Sequence, residues 1–196
     1  MSICITGGAG FVGSSLARRY RALYPERRIV AFDNLKRRGA EFNLTDFKAL
    51  DIEFEHGDVR IAGDLEAVAG DFDLLIDASA EPSAHAGADG SPNYLIDTNL
   101  GGTLNCLEWA RKRGSALLFL STSRVYSLPA LRQLPLREEQ TRLSVDTTQT
   151  LPRGLSAAGI DETFDTSRHR SLYGATKLAS ELFVQEYCAT YGLKAI

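Results

Sequence analysis

The opening stretch ICITGGAGFVG, Ile3 to Gly13, constrains this chain more than any other part of it. An apolar run, Ser2 to Ile5, reads as a buried parallel strand. It breaks into glycines, and an amphipathic run at helical spacing follows from Phe11 to Tyr24. Gly7, Gly10 and Gly13 are spaced three apart, and Gly8, Gly10 and Gly13 also satisfy G-x-G-x-x-G. In such a turn one glycine bends the chain, one lets a pyrophosphate approach the backbone, and one lets the helix pack closely on the strand. The free amides and positive dipole end of the Phe11 helix then face the phosphates. A second apolar strand, Arg28 to Phe32, ends in Asp33, about 20 residues beyond the last glycine, where the pattern requires an acid. Strand, turn, helix and acid together favour a dinucleotide site over a glycine turn with a purely structural role.

At 196 residues the chain suits one well-buried domain, 1–196. With 44% apolar and 24% charged residues it reads as a soluble protein, and no apolar run approaches the ~20 residues of a membrane span. A net charge of −3 gives no reason to expect nucleic acid. The N-terminus enters a core strand at once, so no signal peptide is expected, and the chain reads as cytoplasmic. Cys4, Cys106 and Cys188 are few, scattered and set in apolar segments. They suit a reducing compartment and core packing better than disulfides or a metal site. His56, His85 and His169 lack ligand spacing, and no metal is expected.

Along the chain, Asp33 is followed by Asn34, Leu35 and a basic turn, Lys36-Arg37-Arg38-Gly39. The Asp33 charge would repel a 2′-phosphate and favours NAD, while the basic turn argues for NADP; an acid at hydrogen-bond range outweighs arginines that can swing into solvent. A helical stretch, Leu44 to Leu50, leads to a strand at Ile52 to Glu55 and then to Asp58. Asp58 either accepts from the adenine amino group or caps a helix beginning near Ile61. Asp73 to Ser79 is the fourth strand, and a small-residue loop follows, Ala80 to Ser91. Tyr94 to Arg113 reads as a long helix whose Gly101 and Gly102 suggest close packing or ligand contact. Ala116 to Ser121 is an apolar strand ending in hydroxyls, and the periodicity fails at about 127–170. So long an insert in a compact domain is expected to cover the site, with short secondary structure inside it. Tyr173 to Tyr191 is an amphipathic helix, and Leu193 to Ile196 looks like the start of a sixth strand. The alternation predicts an α/β, doubly wound parallel sheet with helices on both faces, a Rossmann arrangement that binds ligands beyond the carboxyl ends of its strands.

Tyr173 and Lys177 stand at i and i+4, so both point from one helix face, and Thr122 lies at the carboxyl edge of the fifth strand. A phenol ordinarily titrates near ~10, and a neighbouring ammonium and a positive nicotinamide both favour the phenolate needed for a general base. A substrate hydroxyl between Thr122 and Tyr173 could lose its proton as hydride leaves, which is alcohol–ketone redox chemistry.

The motifs TGGAGFVG, DNLKRRG, HGDVR, NLGGTLNCLEWAR, STSRVY and YGATK resemble, in order and spacing, the extended short-chain dehydrogenase/reductase family, whose NAD-dependent members are mostly sugar-nucleotide epimerases and dehydratases. The resemblance implies that Gly7, Gly10 and Gly13 form the phosphate turn with Phe11 and Val12 beside it. It also implies that Asp33 is the ribose acid, that Asn34 beside it binds the cofactor, that Asp58 and Val59 meet the adenine, that Ala80 lines the cofactor loop, and that Asn99 is the asparagine of the fourth helix. Thr122, Tyr173 and Lys177 match the catalytic triad, with Tyr173 and Lys177 also touching the cofactor. Dehydrating members carry Asp-Glu after the catalytic threonine, where this chain has Ser123 and Arg124. STSRVY, the DNLKRRGA turn and the arginine-containing insert look most like CDP-paratose (tyvelose) 2-epimerases, with UDP-sugar 4-epimerases next. Ser127 replaces a usual glycine and Asp77 a common histidine. The resemblance further implies a nucleotide-sugar substrate, a homodimer through helices like those at Tyr94 and Tyr173, and a smaller C-terminal substrate subdomain that this chain lacks. A sugar-nucleotide oxidoreductase or dehydratase, and a non-catalytic NAD sensor, are the competing readings.

Overall fold

The computed structural model describes residues 2–88 and 90–196. The first half alternates strand and helix: β1 (Ile3–Thr6), α1 (Phe11–Leu23), β2 (Ile29–Asp33), α2 (Asn43–Ala49), β3 (Glu53–His56), α3 (Ala62–Glu66) and β4 (Leu74–Asp77). The chain then runs through α4 (Asn93–Ile96) and a π-helical turn, Asp97–Gly101, into α5 (Gly102–Arg113) and β5 (Ala116–Phe119). These strands pair in parallel in the order β3-β2-β1-β4-β5. β1 is central, and the chain winds outward from it in both directions. That leaves a switch point between β1 and β4, and the crevice at its carboxyl end is where ligands bind on such sheets.

Successive side chains of a strand face opposite ways, so Ile3 and Ile5 enter one core with Ala17, Phe47 and Ile76, while Cys4 enters another with Leu65, Leu75, Trp109 and Val184. Each face of the sheet therefore carries its own buried layer, as a doubly wound fold requires. Beyond β5, Ala195 bridges Leu117 in parallel, and Phe119 N donates to Ile196 O at 2.8 Å, so the terminal residues do begin a sixth strand. Burial pushes the Cys4 thiol up to about 12 and that of Cys106 well above its ordinary value, so both stay neutral core groups; Cys188 is half-buried. Among the described residues no helix is long and apolar enough to cross a membrane.

Two expectations change. The long helix from Tyr94 to Arg113 is interrupted at Asp97–Gly101, where a wider turn lets the Asn99 carboxamide accept from Glu81 N at 2.7 Å and donate to Glu81 O at 3.1 Å. Asp58 does not cap α3: its carboxylate is taken by Arg60 and Asn34, and it is the Asp64 carboxylate that accepts from Asp58 N at 2.9 Å.

The stretch at 127–170 does hold short elements: α6 (Leu128–Arg132), an antiparallel pair β6 (Leu136–Glu138) and β7 (Leu143–Val145), and a second pair β8 (Leu155–Ser156) and β9 (Gly159–Ile160). Its two ends meet at Ser127, which is fully buried. Ser127 N donates to Asp165 O at 2.9 Å, its Oγ accepts from Arg168 N at 2.8 Å, and Leu128 N donates to His169 O at 3.0 Å. Tyr126 adds an Oη bond to Asp161 O at 3.0 Å and an edge contact with the buried Phe164 ring, 5.6 Å away. The chain then re-enters the domain as α7 (Leu172–Tyr191), capped by Ser171 Oγ, which accepts from Gly174 N at 3.1 Å. Ser127→Ala leaves the Arg168 amide without its buried acceptor, and is expected to lower stability by about 1–2 kcal/mol. Hydrogen exchange should accelerate first at residues 155–168, while β1 and β4 keep their protection.

Candidate functional site

The turn after β1 is shaped by backbone contact. Gly7 adopts φ +61°, and Gly10 N donates to its carbonyl at 3.0 Å. A side chain at Gly13 would drive its Cβ into that same carbonyl, so the first turn of α1 lies directly on the turn that feeds it. Among the described residues no side chain caps α1, its first turn holds no acid, and Phe11 is 88% exposed. The amides of Phe11 and Val12 precede the first intrahelical acceptor, so the helix presents free donors and a positive end to the crevice. This combination accepts a diphosphate.

On the β2 side of the crevice lies a cleft of about 210 Å³ lined by Gly7, Gly10, Asp33, Asn34, Lys36, Arg37, Val59, Ala80, Tyr94 and Thr98, among others. That is below the ~300–1,000 Å³ of sites enclosing a whole drug-sized ligand, and suits one end of an extended dinucleotide. The Asp33 carboxylate accepts from Ala9 N at 3.1 Å and Leu35 N at 2.8 Å, which ties the glycine turn to the next loop. Beside it, Asn34 Nδ2 donates to Asp58 Oδ2 at 2.9 Å, and Arg60 holds the same carboxylate. The Arg60 guanidinium, helped by its backbone amide and by Asn34, keeps the Asp58 carboxyl at about 2, so it is ionised at any working pH. Asn99 stands behind the cleft, spent on the backbone of Glu81.

Among the lining residues to which the sequence reading gave no site role are Lys36, Tyr94 and Thr98. Lys36, though exposed, rests on a ring: its Nζ lies 3.1 Å from the centroid of the Tyr94 ring, and the Arg60 guanidinium lies 4.7 Å from the same centroid. Thr98 is 6% exposed, and among the described residues its hydroxyl has no partner. Tyr94 and Thr98 are four apart on one helix face, the signal by which they were findable.

Thr122 lies just past β5 and lines a second cleft, of about 580 Å³, with Ser123, Arg124, Tyr126, Glu162, Thr166 and Glu181. Its Oγ1 accepts from Arg124 N at 3.2 Å and so caps the 3₁₀ turn Ser123–Val125. A Cβ at Gly174 would meet the carbonyl of Arg124, so the first turn of α7, which carries Tyr173, rests on the turn that carries Thr122. The Tyr173 side chain is half-buried, and among the described residues its hydroxyl takes no hydrogen bond. One turn on, Lys177 is 2% exposed, with Nζ donating to Leu120 O at 2.9 Å and lying 4.5 Å from the centroid of Phe119. Burial pulls its pKa below the ordinary lysine value, and Asp77 is the strongest influence in the other direction. α7 touches the lining of both clefts: Ser180 Oγ donates to Asn99 O at 3.1 Å, next to Thr98, and Glu181 accepts from Ser121 Oγ. Hydroxyl groups, phenol and buried ammonium are thus grouped at the carboxyl rim, beside a helix end suited to phosphate.

A model of the NAD dependent epimerase/dehydratase family matches residues 3–196. CDP-paratose 2-epimerase of Salmonella typhi is 33% identical over 202 residues, covering 100% of this chain and 55% of that protein. The structure of dTDP-glucose 4,6-dehydratase from Bacillus anthracis str. Ames in complex with NAD aligns with TM-score 0.72 and 25% identity over 100% of this chain and 53% of its own. That of Thermus thermophilus UDP-glucose 4-epimerase in complex with NAD aligns with TM-score 0.67 and 25% identity, again over 100% and 53%. The chain spans about half the length of the curated relatives it matches.

The cofactor those neighbours hold fits the residues present here: a glycine cradle too tight for side chains, free amides, and one orphaned buried hydroxyl. Gly13→Ala is expected to destabilise the fold by about 1–3 kcal/mol and to weaken NAD binding at least tenfold, read by calorimetry. Thr98→Val should move two observables in opposite directions. Melting of the cofactor-free protein rises, because a buried hydroxyl without a partner is removed, while NAD affinity falls about three- to tenfold.

Proposed function

We propose that this chain, which belongs to the NAD-dependent epimerase/dehydratase family, carries the catalytic domain of a sugar-nucleotide epimerase of the CDP-paratose 2-epimerase type. NAD, when bound, supplies the hydride acceptor. The observation that carries the epimerase reading is the pair after Thr122. Ser123 and Arg124 stand where the dehydrating enzymes of the resembling family carry an acid and a base. Elimination of water from a sugar needs one group to take a proton and another to protonate the departing hydroxyl. A serine hydroxyl and a guanidinium that never deprotonates supply neither. Inversion at a carbinol carbon asks for less: one hydroxyl proton must leave and later return.

Thr122 and Tyr173 are the residues we assign to that hydroxyl. Thr122 Oγ1 orients it, and the phenol of Tyr173 takes its proton and returns it. Lys177 steadies the phenolate from within the same helix, and its own burial strengthens every charge interaction it makes. Gly7, Gly10, Phe11, Val12, Gly13, Asp33, Asn34, Asp58, Val59, Ala80 and Thr98 hold or frame the cofactor in this reading, and Asn99 shapes the loop on which Ala80 sits. The second cleft, with Thr122, Ser123, Thr166 and Glu162 on its wall, offers donors and acceptors of the kind a polyhydroxylated ring requires. Two copies are proposed to pair through α5 and α7, where Leu182 and Phe183 remain exposed.

The test is to incubate the protein with CDP-paratose and with UDP-glucose and to follow the sugar by NMR. The expected product is the C2 epimer of the first, without net NADH. Tyr173→Phe should lower turnover by about 10²–10⁴-fold and leave NAD bound. Accumulation of NADH in place of an epimer rejects the reading, and inversion of UDP-glucose at C4 moves it to the 4-epimerases.

A further inference from the structure

We propose that Asp77 is a positioning residue for Lys177: a buried carboxylate at the end of β4 that keeps the Lys177 ammonium charged and seated beneath the carboxyl rim of β5. This rests on the role given to Lys177 above and extends it to a residue that touches neither cofactor nor substrate.

The Asp77 side chain is fully buried. Its Oδ1 accepts from Thr6 Oγ1 at 2.8 Å, Ser79 N at 3.2 Å and Ser79 Oγ at 2.7 Å, and its Oδ2 accepts from Thr103 Oγ1 at 2.8 Å. Donors approach both oxygens, so the carboxylate serves as an acceptor on each side. A buried carboxylate is costly without a cation in reach, and the buried cation at this end of the sheet is Lys177. Asp77 lies in register with Phe119, whose ring the ammonium overlies. The backbone of Leu120 lies between the two residues: its N donates to the main-chain carbonyl of Asp77 at 3.1 Å and its O accepts from Lys177 Nζ. A second path runs through Thr103, whose single hydroxyl proton has Asp77 Oδ2 and, at 2.9 Å, Asn99 O within reach, the latter the same oxygen that accepts from Ser180 on α7.

The titratable groups facing Lys177 are Asp77 from β4, Cys106 from α5, and Glu181 and Tyr173 from its own helix. Burial holds the Cys106 thiol neutral, and Glu181 is partly exposed and bonded to Ser121. Among these groups Asp77 is the fully enclosed carboxyl. Burial works against the ammonium, and Asp77 is the leading influence that opposes it. The resembling family commonly has histidine at this position, which offers no such charge in the alkaline range.

Asp77→Asn removes the charge and preserves the bonding pattern. The carboxamide oxygen replaces Oδ1, and its NH₂ donates to Thr103 Oγ1, which continues to donate to Asn99 O. With ¹³C-lysine label, and the Lys177 signal assigned by its loss in Lys177→Arg, the Lys177 midpoint is expected to fall by roughly one pH unit in Asp77→Asn. Asp77→His, a second neutral replacement, should shift it the same way. The alkaline limb of epimerase turnover should move down with it, because an uncharged Lys177 no longer favours the phenolate. An unchanged midpoint in either folded variant overturns the proposal. A lowered midpoint with an unmoved alkaline limb upholds the link between Asp77 and Lys177, and overturns instead the part assigned to Lys177 in the reaction.

Discussion

The rest of this molecule depends on how closely α1 lies on the turn after β1. With no side chain at Gly13, the helix begins against the carbonyl of Gly7, and its free amides are fixed over the carboxyl end of the central strand. Everything that follows takes its place from that approach. Asp33 binds the turn to the neighbouring loop through Ala9 N and Leu35 N, so the acid that faces the ribose in the proposed complex also braces the phosphate cradle. One group serving two ends means that the cradle is already formed before a ligand arrives, and little ordering entropy remains to be lost on binding.

The opposite wall of the crevice is organised by α7. Its first turn is pressed on the Ser123–Val125 turn at Gly174, its middle is bonded to the π turn through Ser180, and its lysine is enclosed under β5. A surface lysine four residues from a tyrosine would be screened by solvent and would influence the phenol weakly. Enclosure reverses that. The same charge acts through a medium of lower polarity, at the cost of desolvation, and the buried Asp77 offsets part of that cost.

Much of this was legible in the sequence, and the reasons are local. The strands at Ile3, Arg28, Asp73 and Ala116 announce themselves by short apolar runs, and α1 and α7 by helical periodicity; observed boundaries differ from the pattern by a residue or two. Thr122 was placed by the end of β5, and Tyr173 and Lys177 by their i, i+4 spacing near the start of α7. What escaped depends on partners distant in the chain. Lys36 reads as part of a basic turn until Tyr94, on α4, is placed against it. Asp58 had two local uses, and Arg60, two residues on, took the carboxylate for a third. The π turn at Asp97–Gly101 leaves no mark on periodicity, since one inserted residue is within the scatter of any helical pattern. It carries the bond between Asn99 and Glu81, which no spacing rule reports.

The stem at Ser127 has a consequence for how such a scaffold diversifies. Because the excursion leaves and rejoins the domain at a single hydrogen-bonded neck, the entropy of closing it depends only weakly on how many residues it contains. The segment is then a cassette. It can lengthen, shorten or be exchanged for another chain's version while the sheet and the dinucleotide cradle stay unaltered, and under the proposed function a different sugar is then admitted on the same core.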